Sequence, residues 1–83
     1  MKKVDEYIGE EKALMDLEYD FVCDFIKLRK DNNLTQQKLS DLSGVIRETI
    51  ARIEAGITSP QISTLIKILK PLGYTVKIEK IEK

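Results

Sequence analysis

The sequence predicts an all-α domain: a compact bundle of about four to five short helices, closed by one short C-terminal β-strand. Three observations predict it. Apolar residues recur at spacings of three and four in successive stretches, the period of a helix with one buried face. Helix-stopping residues fall between those stretches, at Asn32-Asn33, Gly44, Ala55-Gly56 and Pro71 with Gly73. After Tyr74 the period changes to two, the mark of a strand. A chain of 83 residues has room for one domain. It buries only about 60% of its unfolded surface, so a lone core is marginal and a dimer would help.

The first helix begins weakly. Residues 4–13 have little periodicity, and Gly9 interrupts them. From Leu14 the pattern firms: Leu14, Leu17, Phe21, Phe25 and Leu28 recur at helical spacing, and Val22 and Ile26 widen the stripe. This is an amphipathic helix with a broad buried face, running to Lys30 or Asp31. Asn32-Asn33 stops it, because Asn tolerates the left-handed conformation. Thr35 is a good N-cap for a short helix from Gln36 to Ser43, with Leu39 and Leu42 inward. Ser40 is small where a neighbouring helix can come close, and Gly44 ends the helix as the left-handed residue of a tight turn.

The next helix spans residues 46–55. At about 100° per residue, Ile46, Thr49, Ile50 and Ile53 share an inward arc, and Arg47, Glu48, Ala51 and Arg52 share the outward one. Ala55-Gly56 closes it. Ser59 as N-cap and Pro60 at the first helical position start a fourth helix, with Ile62, Leu65, Ile66 and Leu69 as its apolar face. Pro71 lacks an N–H and ends it, with Gly73 finishing the turn. Thr75 to Glu79 alternates polar and apolar residues and reads as a strand, with the phase slipping at Ile81. A strand needs a partner edge. No other segment reads as one, so the expected partner is the same strand of a second copy. Val76 and Ile78 would then form the contact across a homodimer.

Hydrophobic residues at 42% and charged residues at 34% suit a globular helical protein and argue against disorder. No apolar run approaches the roughly 18 residues of a membrane span. Met1-Lys2-Lys3 is followed by acids, so no signal peptide is expected. The single cysteine, Cys23, has no internal disulfide partner, which fits a reducing cytoplasm. There is no His, which removes the commonest general base and the usual zinc sites. The four glycines are too scattered for a phosphate-cradling loop. The expectation is a binding protein, not an enzyme, with no cofactor and no metal.

Net charge is zero, but its distribution is uneven. Residues 1–20 hold three lysines against seven acids, a balance of −4, and residues 21–83 hold eleven Lys and Arg against seven acids, a balance of +4. Local patches set the field that a partner meets. The two short helices joined through Gly44 form a helix-turn-helix, whose second helix enters the DNA major groove. Arg47 and Arg52 can donate to guanine, and Glu48 can accept from the cytosine amino group. Gln36 and Lys38, near the start of the first helix of the pair, can hold phosphate oxygens. The same spacing also fits an ordinary helical hairpin with surface charges.

The residues themselves weigh against the hairpin. Leu28-Arg29-Lys30, Leu34 to Leu39, Ser43-Gly44-Val45, Thr49 to Gly56, and Ser59-Pro60 through Leu72-Gly73 strongly resemble one family. It is the Cro/lambda-repressor, or XRE, type of helix-turn-helix DNA-binding domain, and the resemblance covers about residues 21–73. It implies that Gln36 holds backbone phosphate, that Arg47, Glu48 and Arg52 face the bases, and that the loop from Ile57 to Ser59, with Thr58, runs close to the DNA backbone. It also implies a structural ion pair between Arg29 and Glu54. The chain departs from the family pattern at three positions. Ile46 stands where a capping Ser or Thr is usual, Lys38 replaces a common Glu, and Glu48 faces the DNA, where phosphate repels it, so that it must read cytosine or weaken binding.

The flanks resemble one branch of that family. The acidic N-terminal stretch around Leu17-Glu18-Tyr19 and the short tail after Leu72-Gly73-Tyr74 look like HigA-kind antitoxins of toxin–antitoxin pairs. Such proteins bind a small basic RelE-like, mRNA-cleaving toxin and repress their own operon. The expected organisation is therefore a partner-binding segment over 1–20, a DNA-binding domain over 21–73 and a dimerisation strand over 74–83. A phage-type repressor or restriction-modification controller, without a toxin, is the alternative. A third reading is a protein-binding adaptor that has lost DNA binding.

Overall fold

The structure, a computed structural model, describes residues 4–78 and 80, with side chains from residue 14 onward. Glu79 at the end of the expected strand, and Ile81, lie outside the described residues, as does the Met1-Lys2-Lys3 start. Four α-helices follow one another: α1 over Val4–Asp31, α2 over Gln36–Ser43, α3 over Arg47–Glu54 and α4 over Ile62–Leu69. A 3-10 turn, Lys70–Leu72, completes them. The segment after Gly73 is irregular, and no strand occurs among the described residues.

Helix ends are set by local chemistry. α1 ends with Asn33 in the left-handed region at φ 58°. Asn33 N–H bonds the Lys30 carbonyl at 2.9 Å and Leu34 N–H bonds the Arg29 carbonyl at 3.1 Å, a Schellman motif. The same pair of bonds recurs after α3 around Gly56 and after the 3-10 turn around Gly73. Thr35 Oγ1 accepts from the Lys38 N–H at 3.0 Å and caps α2. Gly44 closes α2 at φ 77°, a conformation that any Cβ would strain, although the space beside it is open.

Packing then selects which apolar positions are used. Phe25, Leu39, Ile50, Ile53, Ile68, Leu69 and Leu72 form the core, with Phe21, Leu28, Leu34, Val45 and Leu65 packed around it. α3 lies against both α1 and α2, and α2 also meets α4 and the 3-10 turn. The core thus clamps the α2–α3 pair from behind.

Several expected faces differ from this arrangement. α1 runs unbroken through Gly9 and across residue 20. Its buried stripe begins only at Phe21, since Leu14 and Leu17 are 56% and 64% exposed. Leu42, Ile46, Ile62 and Ile66 have the right helical phase, yet they sit where no other element reaches and are exposed. Pro60 stays in the loop and Gln61, not Ser59, precedes α4, without a side-chain cap. The C-terminal strand is not formed. Val76 and Ile78 are both exposed, Ile78 completely, because alternation alone supplies no edge to pair with.

Candidate nucleic-acid interface

The interface is built on α3. Ile50 and Ile53 are fully buried, which fixes the rotation of the helix about its axis. Arg47, Glu48 and Arg52 are consequently exposed on the opposite arc, and Ala51 between them is half-buried. A small residue at the centre of such a face lets a groove edge approach closely. Ile46 takes the N-cap position in extended geometry with no side-chain bond, so the first N–H groups of α3 have no side-chain acceptor. The turn before it is held by Ser43 Oγ, which accepts from the Val45 N–H at 3.1 Å.

Behind α3 lies a polar network that joins three helices. Arg29 Nε donates to Glu54 Oε2 at 2.7 Å, and its Nη2 donates to Oε1 at 2.9 Å. A third donor, Nη1, reaches the Leu34 carbonyl at 2.7 Å. The expected pair of Arg29 and Glu54 is therefore present, bidentate and buried. Gln36 joins it: its Nε2 donates to Glu54 Oε1 at 3.0 Å. The amide expected to hold phosphate thus has one N–H committed to Glu54, which restrains the side chain. The start of α2 and the end of α3 become one rigid unit.

The other expected positions are exposed. Lys38 lies on the first turn of α2, and Thr58 lies in the α3–α4 loop. Next to Thr58, Ser59 Oγ donates to Glu18 Oε2 on α1 at 2.8 Å. Sequence reading missed this contact, and 41 positions of separation leave no local signal that could have revealed it. Val76 and Ile78 are not brought to any contact site. On α1, the Tyr19 phenol is held above its ordinary value of 10.0, first by its hydrogen bond with Cys23 and then by electrostatic interaction with the same side chain. Among the described residues no cluster of His, Cys, Asp and Glu could hold a metal ion. Among the described residues, too, no helix is long and apolar enough to cross a membrane.

Residues 25–78 match a protein-family model described as helix-turn-helix. An uncharacterized HTH-type transcriptional regulator of Haemophilus influenzae is 42% identical over 69 residues, which cover 83% of this chain and 70% of that protein. The HTH-type transcriptional regulator PuuR of Escherichia coli is 38% identical over 50 residues, 60% of this chain but only 27% of PuuR. Among solved structures, a chain of a toxin–antitoxin module from Streptococcus pneumoniae superposes with TM-score 0.69 and 32% identity, covering 99% of this chain and 85% of that one. An HTH_3 family transcriptional regulator from Vibrio cholerae gives TM-score 0.67 and 30% identity over 74% of this chain and 34% of that one.

Proposed function

The chain belongs to the helix-turn-helix family of DNA-binding transcriptional regulators, and from that premise we propose that it is a sequence-specific repressor acting as the antitoxin of a toxin–antitoxin pair. In this reading it is a HigA-kind protein. It binds a small basic, RelE/HigB-like mRNA-cleaving toxin and represses its own operon, acting by binding and not by catalysis. The observation that carries the DNA reading is the exposed arc of Arg47, Glu48 and Arg52 on a helix clamped by Ile50 and Ile53. α3 enters the major groove, where the arginines donate to base edges and Glu48 accepts from cytosine. Gln36, Lys38 and Thr58 hold phosphates on either side.

The antitoxin reading is supported by likeness over nearly the whole chain to a chain of a toxin–antitoxin module, and by the excess of acids over residues 1–20. Binding as a homodimer would place two recognition helices about one helical turn apart on DNA. With strand pairing gone, the exposed Ile62 and Ile66 of α4 supply apolar surface for that contact.

The test is binding to the promoter of the chain's own operon. Affinity should fall steeply with salt as phosphate contacts release counterions. Arg52→Ala should cost on the order of 1–3 kcal/mol and relax preference at one base pair. Binding that ignores both salt and this substitution would overturn the DNA reading. Co-purification with the product of the adjacent gene tests the antitoxin reading, and its absence leaves a repressor without a toxin.

A further inference from the structure

Ile46 does nothing for the fold that a small polar residue would not do better. Its backbone takes the extended N-cap geometry of α3 at φ −62° and ψ 145°, and no side-chain bond caps the helix. Ser or Thr there would supply an acceptor for one of the first N–H groups, which an aliphatic side chain cannot. Ile46 does not pack either. Helical phase would set it beside Ile50 and Ile53, which are fully buried, but the extended backbone takes it off that arc and it is 64% exposed. Among the described residues it is not one of those packed around the core.

Its place is nevertheless fixed. The Ile46 carbonyl accepts from the Thr49 N–H at 3.0 Å and from the Ile50 N–H at 3.3 Å. The Val45 N–H donates to Ser43 Oγ at 3.1 Å and holds the turn before it. Branching at Cβ restricts the side chain to few rotamers, so little freedom is lost on contact. A rigid aliphatic group thus stands at the leading end of α3, directly before the exposed Arg47 and Glu48. A single exposed apolar residue is ordinary on a protein surface. One placed beside the charged side chains of a recognition helix has a specific chemical complement. The groups that base pairs present in the major groove are hydrogen-bond donors and acceptors, with one exception, the C5-methyl of thymine. The modified base 5-methylcytosine carries the same methyl in the same place.

We infer that Ile46 is a specificity-determining residue that recognises the C5-methyl group of a pyrimidine in the operator. This rests on the reading above, in which α3 enters the major groove. Consecutive Cα atoms are about 3.8 Å apart and stacked bases about 3.4 Å apart, so the methyl lies within about two base pairs of the one that Arg47 reads. Thymine and 5-methylcytosine both satisfy the contact, and uracil and cytosine do not. Methylation of a cytosine at that position therefore strengthens binding. The missing cap is the counterpart of this role: the side chain at the head of α3 is turned to the groove and not to its own helix.

The test starts from an operator that the full chain selects from a pool of random duplexes. Its thymines are replaced one at a time by deoxyuridine, which removes the methyl and keeps the pairing. One replacement, within about two base pairs of the position where Arg47→Ala relaxes preference, should weaken binding about three- to fourfold, the worth of one buried methyl group. Ile46→Ser should bind the thymine and uracil duplexes equally, and Ile46→Val should keep the difference. With a C·G pair placed there, 5-methylcytosine should bind about threefold better than cytosine, again only with Ile46 or its Val replacement. Ser is the better cap, so Ile46→Ser should melt no lower than the parent chain, and its lost discrimination is then not lost structure. A penalty that survives Ile46→Ser, a penalty at no thymine, or one farther from the Arg47 position overturns the inference. So does discrimination at thymine with no gain from 5-methylcytosine, because the methyl is then not what Ile46 reads. A chain that selects no sequence refutes the DNA reading and the inference with it. A chain that selects an operator indifferent to the methyl refutes the inference alone.

Discussion

Replacing Glu54 with alanine should be among the most damaging single changes in this chain, although the residue is not part of the apolar core. Arg29 is 8% exposed, and two of its three hydrogen bonds go to the Glu54 carboxylate. Without that carboxylate the guanidinium stays buried beside a single carbonyl. Breaking a buried pair in this way costs about 3–5 kcal/mol. A domain of this size has a total stability of roughly 4–12 kcal/mol at 0.05–0.15 kcal/mol per residue. Glu54→Ala therefore removes about a quarter of it or more and should lower Tm by at least about 12 °C. Urea unfolding followed by the helical circular dichroism signal measures the difference. The double variant Arg29→Met with Glu54→Leu should recover most of the loss, since apolar replacements of a buried pair are often neutral. A cost under about 1 kcal/mol for Glu54→Ala, or a double variant as weak as the single, would refute the argument that the unpaired charge dominates.

Two further substitutions test the fold. Gly44→Ala meets no atom within 4 Å but must hold φ 77°, so it should cost about 1–2 kcal/mol by urea unfolding from backbone strain alone. Leu17→Ser should change stability by less than about 1 kcal/mol, whereas Phe25→Ala in the same stripe should cost about 3–5 kcal/mol, a contrast set entirely by where the core begins.

The helix boundaries were legible because they depend on neighbours in the chain. Asn33, Gly44, Gly56 and Gly73 each take the left-handed conformation at the position where the sequence calls for a stop. Thr35 caps as its side chain dictates. What was not legible is which apolar residues find a neighbour. Leu42 and Ile62 have the same chemistry and phase as Leu39 and Leu69, and only the packing of α2 against α4 separates them. The tail failed for the same reason: a period of two is a condition for a strand, and the missing partner edge lies outside the segment. At the candidate interface, the outward arc of α3 followed from helical period. The Arg29–Glu54 pair came from family resemblance. Glu18 looked like one more solvated acid until the fold set it against Ser59.

On the proposed antitoxin reading, the charge division of the chain bears on how one molecule would serve DNA and a basic protein together. Along α1, the acids at positions 5, 6, 10 and 11 precede Arg29, where the helix is tied to the end of α3. From residue 11 to residue 29 the rise is about 27 Å at 1.5 Å per residue. The Debye length is about 8 Å at physiological ionic strength and about 30 Å at 0.01 M. In the cell, then, the far acids are several screening lengths from the α2–α3 unit and hardly oppose its phosphate contacts. In dilute salt the same acids come within range of the DNA. Removing residues 1–12 should therefore leave operator affinity nearly unchanged at about 0.15 M salt and raise it at about 0.01 M, as read by fluorescence anisotropy of a labelled duplex. A deletion that lowers affinity at both salts would mean that the arm contacts DNA or supports the fold. Equal affinity at both would mean that its charge is already neutralised within the free protein.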